Sequence, residues 1–238
     1  MAMRLDNPWM LLRTGRIKQG LQHFEAAYKS EPSSSTIMEL GVAYLWVEQH
    51  ESAWKHFSKS IAQYPHSISS FYGMAGVAKW CLGEAEEAVR QWTAGLEADF
   101  ADANGLGVQL PLLLFTASML APSVVQRTDV EEMLERRVST PRDHDWPAPI
   151  ARWLIGHITE SQLLDQSIGS DDAETRDQQL AIDFYRAVLR YPMRSSGEFK
   201  LRMKELVDTT RPEWLDPDFF LARMWSEEFF LARHEAGK

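Results

Sequence analysis

Three stretches decide how this chain folds: GRIKQGLQHFEAAYKSEP (Gly15–Pro32), EQHESAWKHFSKSIAQYP (Glu48–Pro65) and GEAEEAVRQWTAGLEADF (Gly83–Phe100). Aligned on one another, they place a small residue at Gly20, Ala53 and Ala88 and an aromatic four positions later at Phe24, Phe57 and Trp92. A second small residue follows at Ala27, Ser60 and Gly95, and the stretches close on Pro32, Pro65 and Phe100. Positions i, i+4 and i+7 share one face of an α-helix. The small residues on that face admit a neighbouring helix, and the ring fills the space beside them. Proline then ends the helix, because it lacks an amide donor and clashes with the preceding turn. Upstream, MELGVAYLW (Met38–Trp46) and YGMAGVAKW (Tyr72–Trp80) supply the other helix of each hairpin, with Gly41 and Gly76 at the close contact.

The steps from Gly20 to Ala53 and from Ala53 to Ala88 are 33 and 35 residues. They straddle the 34-residue period of helix–turn–helix repeats. At its small, aromatic and proline positions the chain resembles the tetratricopeptide repeat family, over residues 1–102 and in three units. The first unit has a shortened opening helix that Asp6, Asn7 and Pro8 cap. The resemblance implies an all-α fold, a right-handed superhelical array of antiparallel helix hairpins.

Residues 103–238 are expected to continue the array as degenerate helical repeats ending in a buried C-terminal helix. The uncharged stretch 106–121 reads as the next stacked helix. TDVEEMLERRV follows, with Thr128 or Asp129 as its cap. Trp146, Pro147 and Pro149 open a helix that stops near Gly156, and Thr159 with Gln162 has the form of a capping box for another. This W-P-x-P stretch, with its later glycine and Thr-Glu, is similar to a segment of bacterial repeat proteins related to an outer-membrane lipoprotein family. AIDFYRAVLRYP then gives an amphipathic helix, although Arg186 stands where that likeness expects glycine. The acidic stretch Gly169–Asp177 reads as a solvated connection or, alternatively, a contact for a basic partner.

Composition excludes several functions. A formal charge of −9 and a pI near 5.3 argue against nucleic acid, which needs a clustered basic surface. Residues 103–126 carry no charge, but Gly105, Gly107, Pro111 and Pro122 interrupt them. A membrane span needs about 20 predominantly apolar residues, so no membrane partner is expected. Cys81 is the single cysteine, which rules out an internal disulfide or a cysteine metal site. With no secretory signal at the N-terminus, a cytoplasmic location is expected. No nucleotide-binding, hydrolase or zinc-protease motif is present. His144 between Asp143 and Asp145 supplies a remote enzyme reading. His23, His50, His56 and His66 are expected at surface positions, and no cofactor or metal is expected.

The resemblance implies that the first helix of each hairpin lines a groove. It assigns partner-binding positions to Trp9 and Arg13, to Met38, Val42 and Trp46, and to Val77 and Trp80. Family members that clamp a terminal carboxylate carry Lys, Asn and Arg there. Leu5, Trp9, Met38, Val42, Gly73 and Val77 stand here instead, so no such clamp is expected. The apolar groove suits a hydrophobic segment of another protein or the chain's own C-terminal helix. The expected function is a non-enzymatic adaptor for another protein, either basic or bearing an apolar segment. A sharper version is a bacterial immunity protein or secretion chaperone that masks a toxin or effector.

The pentapeptide FFLAR occurs twice, at Phe219–Arg223 and Phe229–Arg233. On a helix opened by Asp216 and Pro217, residues eleven apart coincide and residues ten apart do not. Phe219, Phe220, Trp225, Phe229 and Phe230 therefore spread around most of the helix. A helix apolar nearly all round needs cover on more than one side. It is expected to pack back on the helices of 178–207, or to form a homodimer with another copy of the chain.

Overall fold

A computed structural model describes residues 7–63, 69–98, 107–139, 146–191, 195–209 and 216–226. Those residues form helices and, among themselves, no strand. The helices are α1 (Pro8–Arg13), α2 (Ile17–Ser30), α3 (Ser34–Trp46), α4 (His50–Gln63), α5 (Ser69–Cys81), α6 (Ala85–Gly95) and α7 (Gln109–Leu120). Then follow α8 (Arg127–Val138), α9 (Ala148–Leu154), α10 (Glu160–Gln166), α11 (Asp172–Arg190), α12 (Ser196–Thr209) and α13 (Pro217–Ser226). The chain is all-α. Successive helices pack on each other, and α1, α3, α5 and α7 also touch in order, forming one row backed by α2, α4 and α6. α11 extends this row through α7 and α9, while α13 lies against α5, α11 and α12.

The aromatic of each second helix fits a notch in the first. A Cβ built on Gly41 would lie under 3.0 Å from three atoms of the Phe57 ring, and one built on Gly76 equally close to three atoms of the Trp92 indole. Trp92 is fully buried and its Nε1 donates to the Gly73 carbonyl at 3.0 Å. Gly95, the second small residue of that unit, meets Tyr72 and Leu110 in the same way. Ala27 departs from the expected pattern and is exposed. The described α1 has six residues against thirteen in α3 and α5.

The turns repeat as closely as the faces. Gly15, Glu48 and Gly83 all have positive φ, at 77°, 62° and 81°. In each unit the following amide bonds back five residues, Arg16 to Leu11, Gln49 to Tyr44 and Glu84 to Lys79. Gly156 (φ 83°) closes α9 identically, with the His157 amide on the Arg152 carbonyl at 2.8 Å. Glycine enters the left-handed region without penalty. Glu48 accepts about 1–2 kcal/mol of strain there.

Side-chain caps open α1, α3, α10 and α11. Asn7 Oδ1 accepts from the Trp9 amide at 2.9 Å with Pro8 at the first helical position, while Asp6 lies outside the described residues. Ser33 with Thr36, and Thr159 with Gln162, form capping boxes. The expected cap of α8 at Thr128 or Asp129 is corrected. The helix starts at Arg127, whose Nε reaches Glu131 Oε1 at 2.7 Å and supports the extra residue. The acidic stretch Gly169–Asp177 is also not a connection throughout. Asp171 caps α11 by accepting from the Glu174 amide at 2.8 Å, so residues 172–177 are helical. His56 is half-buried rather than at the surface, with Nε2 3.0 Å from the Ile37 carbonyl oxygen, and burial lowers its pKa.

Leu110 to Met119 on α7 are all buried, in keeping with a helix packed between neighbours. No helix of the described residues is long and apolar enough to cross a membrane. One cluster of buried side chains runs from Ile37 to Trp225, and a smaller one joins Leu12, Leu21, Phe24, Leu40 and Ala43 under the first hairpin.

The notch geometry separates two glycines three residues apart. Gly76→Ala must displace a ring that is buried and hydrogen-bonded, and is expected to cost about 1–3 kcal/mol. Gly73→Ala finds its nearest neighbour, Leu110 Cδ2, at an ordinary 3.5 Å and gains up to about 1 kcal/mol of helix propensity. Thermal unfolding of the two variants should therefore move Tm in opposite directions.

Candidate partner-binding site

The groove positions divide into a covered half and an open half. In the covered half, Trp46 and Trp80 meet the chain's own α13, and Val77 lies buried in the same core cluster. The Phe219 ring stacks on Trp46 at 5.7 Å, and Trp225 meets Trp80 edge-on at 6.1 Å. Arg223 Nη1 donates to the Trp46 carbonyl at 2.7 Å, its Nη2 pairs with Glu48, and its guanidinium lies over the Trp46 ring at 5.5 Å. Arg13 lies against the same ring at 5.7 Å. Val77 and Trp80 are 0% and 1% exposed. Assigning those two to an open partner surface is therefore corrected: they are core, Trp80 beneath α13, the chain's own helix being one of the two covers expected for the groove.

The same contacts place the C-terminal helix. Phe219, Phe220 and Trp225 are buried within the chain, and Trp225 also packs on Phe184 and Phe199 from α11 and α12. The expected packing against the 178–207 helices is present, with α5 as a further neighbour. Phe229 and Phe230 lie outside the described residues.

Trp9, Met38 and Val42 remain on the open half, where they border a cavity of about 830 Å³. Met38 and Val42 are one turn apart on α3, and Gly73 and Met74 face the cavity from α5. Gln109 and Leu110 close it from α7, and Trp146 from the residues before α9. The opposite wall is α11, whose Glu174, Asp177, Gln178 and Ala181 recur at helical spacing, together with the first turn of α13. An apolar floor thus meets an acidic wall. Glu39, Asp171, Glu174, Asp177, Asp216 and Asp218 all border the cavity, and its described lining contains no Lys, Arg or His.

Two polar features stand out in that wall. Asp218 is 5% exposed and accepts a hydrogen bond from Tyr185 Oη at 2.9 Å. Burial, reinforced by the neighbouring Asp216, pushes its pKa up to about 8 against the opposing Tyr185 bond. Burial and Asp218 together push the Tyr185 phenol well above its ordinary value. Gln178 is 6% exposed, and its Oε1 has no hydrogen-bond partner; nor has Gln109 Nε2 across the cavity. Buried polar atoms normally find a partner, so both are unmet valences beside a space large enough to hold a ligand.

Reading the sequence alone found only part of the acidic wall. Gly169–Asp177 read as a solvated connection or a contact for a basic partner, whereas Asp216 and Asp218 read as helix-capping residues. Their convergence needs α11 and α13 side by side, which no local pattern encodes. His144 lies outside the described residues. Among the described residues, no three His, Cys, Asp or Glu side chains converge as a metal site would require.

Asp218 makes stability depend on pH. Its folded pKa of about 8 stands above the ordinary 3.8. Across that window the folded chain holds a proton that the unfolded chain has lost, so this group's contribution falls as pH rises and levels off above it. Asp218→Asn keeps an acceptor for Tyr185 and removes the titration. Its Tm should gain on the parent steadily from about pH 5 to about pH 8, at roughly 2–4 °C per kcal/mol recovered. Phe219→Ala tests the covered half. It should cost about 3–5 kcal/mol and speed amide exchange in residues 217–226 while leaving α2 unchanged.

Comparison of the sequence with protein-family models finds no match, and no curated protein matches it either.

Proposed function

We propose that the chain is a non-enzymatic interaction scaffold of the tetratricopeptide kind, a right-handed superhelix of hairpins that holds one segment of a protein partner. The cavity between α3, α5 and α11 carries this reading. It lies on the row of first helices, its floor is Trp9, Met38, Val42, Met74 and Leu110, and it remains open after α13 has covered the rest of that row. A concave, mostly apolar space with a few convergent polar groups is the common form of a binding site. The single cysteine, Cys81, suits a reducing cytoplasm. The narrower role of masking a cationic toxin or effector draws on the same acidic wall.

A photo-crosslinking residue at Met38, compared with one at Leu201, which is 56% exposed on α12, tests the reading in cells that make the protein. Adducts of one defined mass are expected from position 38 and none from position 201. Equal labelling from both positions, or none from either, would sink it.

A further inference from the structure

We propose that the occupant of the cavity is a short extended basic segment of the partner, its backbone held by Gln109 and Gln178 and its lysine or arginine side chains by Glu39 and Glu174. This rests on the scaffold reading above and adds the chemistry of the partner.

Charge is the first argument. Glu39 on α3 and Glu174 on α11 border the cavity from opposite walls, and its described lining carries no cation, so a ligand bearing positive charge is favoured over a neutral or acidic one of the same shape. The carboxylates do not converge as metal ligands do, which points to charges spread along an organic ligand. Their stems have a matching surface: the methylenes of lysine and arginine pack on apolar groups while their heads stay polar, and Met38, Met74 and Leu110 provide that floor.

Extent is the second argument. Asp171, Glu174, Gln178 and Ala181 follow one face of α11 from its cap onward, and all four border the cavity. The row from Asp171 to Ala181 spans ten residue steps at 1.5 Å, about 15 Å. That matches about four residues of extended chain and exceeds what a single amine would occupy.

The unmet valences are the third and most specific. Gln178 Oε1 lacks a donor and Gln109 Nε2 lacks an acceptor. Both side chains border the cavity. A peptide backbone offers both an N–H and a C=O, whereas a free polyamine offers donors alone. The pair therefore selects a peptide.

A randomised octapeptide display library selected on the immobilised full chain tests the proposal, with Kd of the most enriched peptide measured by titration calorimetry. Enrichment of lysine or arginine at two or more positions is expected. Replacing those residues by norleucine should weaken binding at least tenfold. Glu39→Lys and Gln178→Leu should each weaken it several-fold without lowering Tm, whereas a purely structural role for Gln178 would alter Tm and leave Kd unchanged. Equal affinity for the norleucine peptide would overturn the basic occupant, and spermidine binding as tightly with the same sensitivities would overturn the segment. If position 38 crosslinks while no basic peptide is selected, this proposal fails and the scaffold stands. Failure of both experiments removes both.

Discussion

The fit of one aromatic ring into one glycine notch sets the geometry on which the rest of the molecule depends. Trp92 can lie against α5 only because Gly76 has no Cβ, and its Nε1 fixes the register by donating to the Gly73 carbonyl. Phe57 and Gly41 make the equivalent contact one unit earlier. Close approach of the two helices brings their other small residues, Ala53 and Ala88, to complete burial. Packing at this density leaves little room for a ring to move aside. Each hairpin is consequently held at a defined spacing, and the row of first helices follows from that spacing.

The row, once built, presents more apolar surface than water tolerates, and the chain covers part of it with its own α13. Phe219 stacked on Trp46 and Trp225 against Trp80 remove that half of the groove from solvent. Arg223 ties the helix down through a backbone carbonyl and Glu48. Glu48 occupies a left-handed turn position where its counterparts are Gly15 and Gly83. Glycine would relieve the strain and lose the carboxylate, so the turn and the docking of α13 are coupled at one residue. The same docking carries Asp218 to the edge of the remaining cavity. There it faces Tyr185, and burial makes its charge costly.

The repeats were legible because their determinants are local. Small and aromatic residues at helical spacing, prolines after the helices and the capping pairs Ser33–Thr36 and Thr159–Gln162 act within a few residues of themselves. Glu48 hid one turn, since only its backbone angle shows that it stands where glycine does. The fourth such turn, at Gly156, belongs to a hairpin whose helices are only seven residues each, too short to show a period.

The sequence by itself determined that this chain is helical, that it pairs helices into hairpins, and that its last described helix needs cover on several sides. Those properties follow from periodicity and from residues without room for a side chain. Only the tertiary structure decided which half of the row is covered and that six carboxylates border the half left open. These carboxylates come from α3, α11 and the start of α13, and α3 precedes the other two by more than a hundred residues. Charge alternation along a chain reports which residues tolerate water. It carries no information on which of them meet across a cavity, because that is set by the docking of α13, a contact between residues 175 and 177 positions apart.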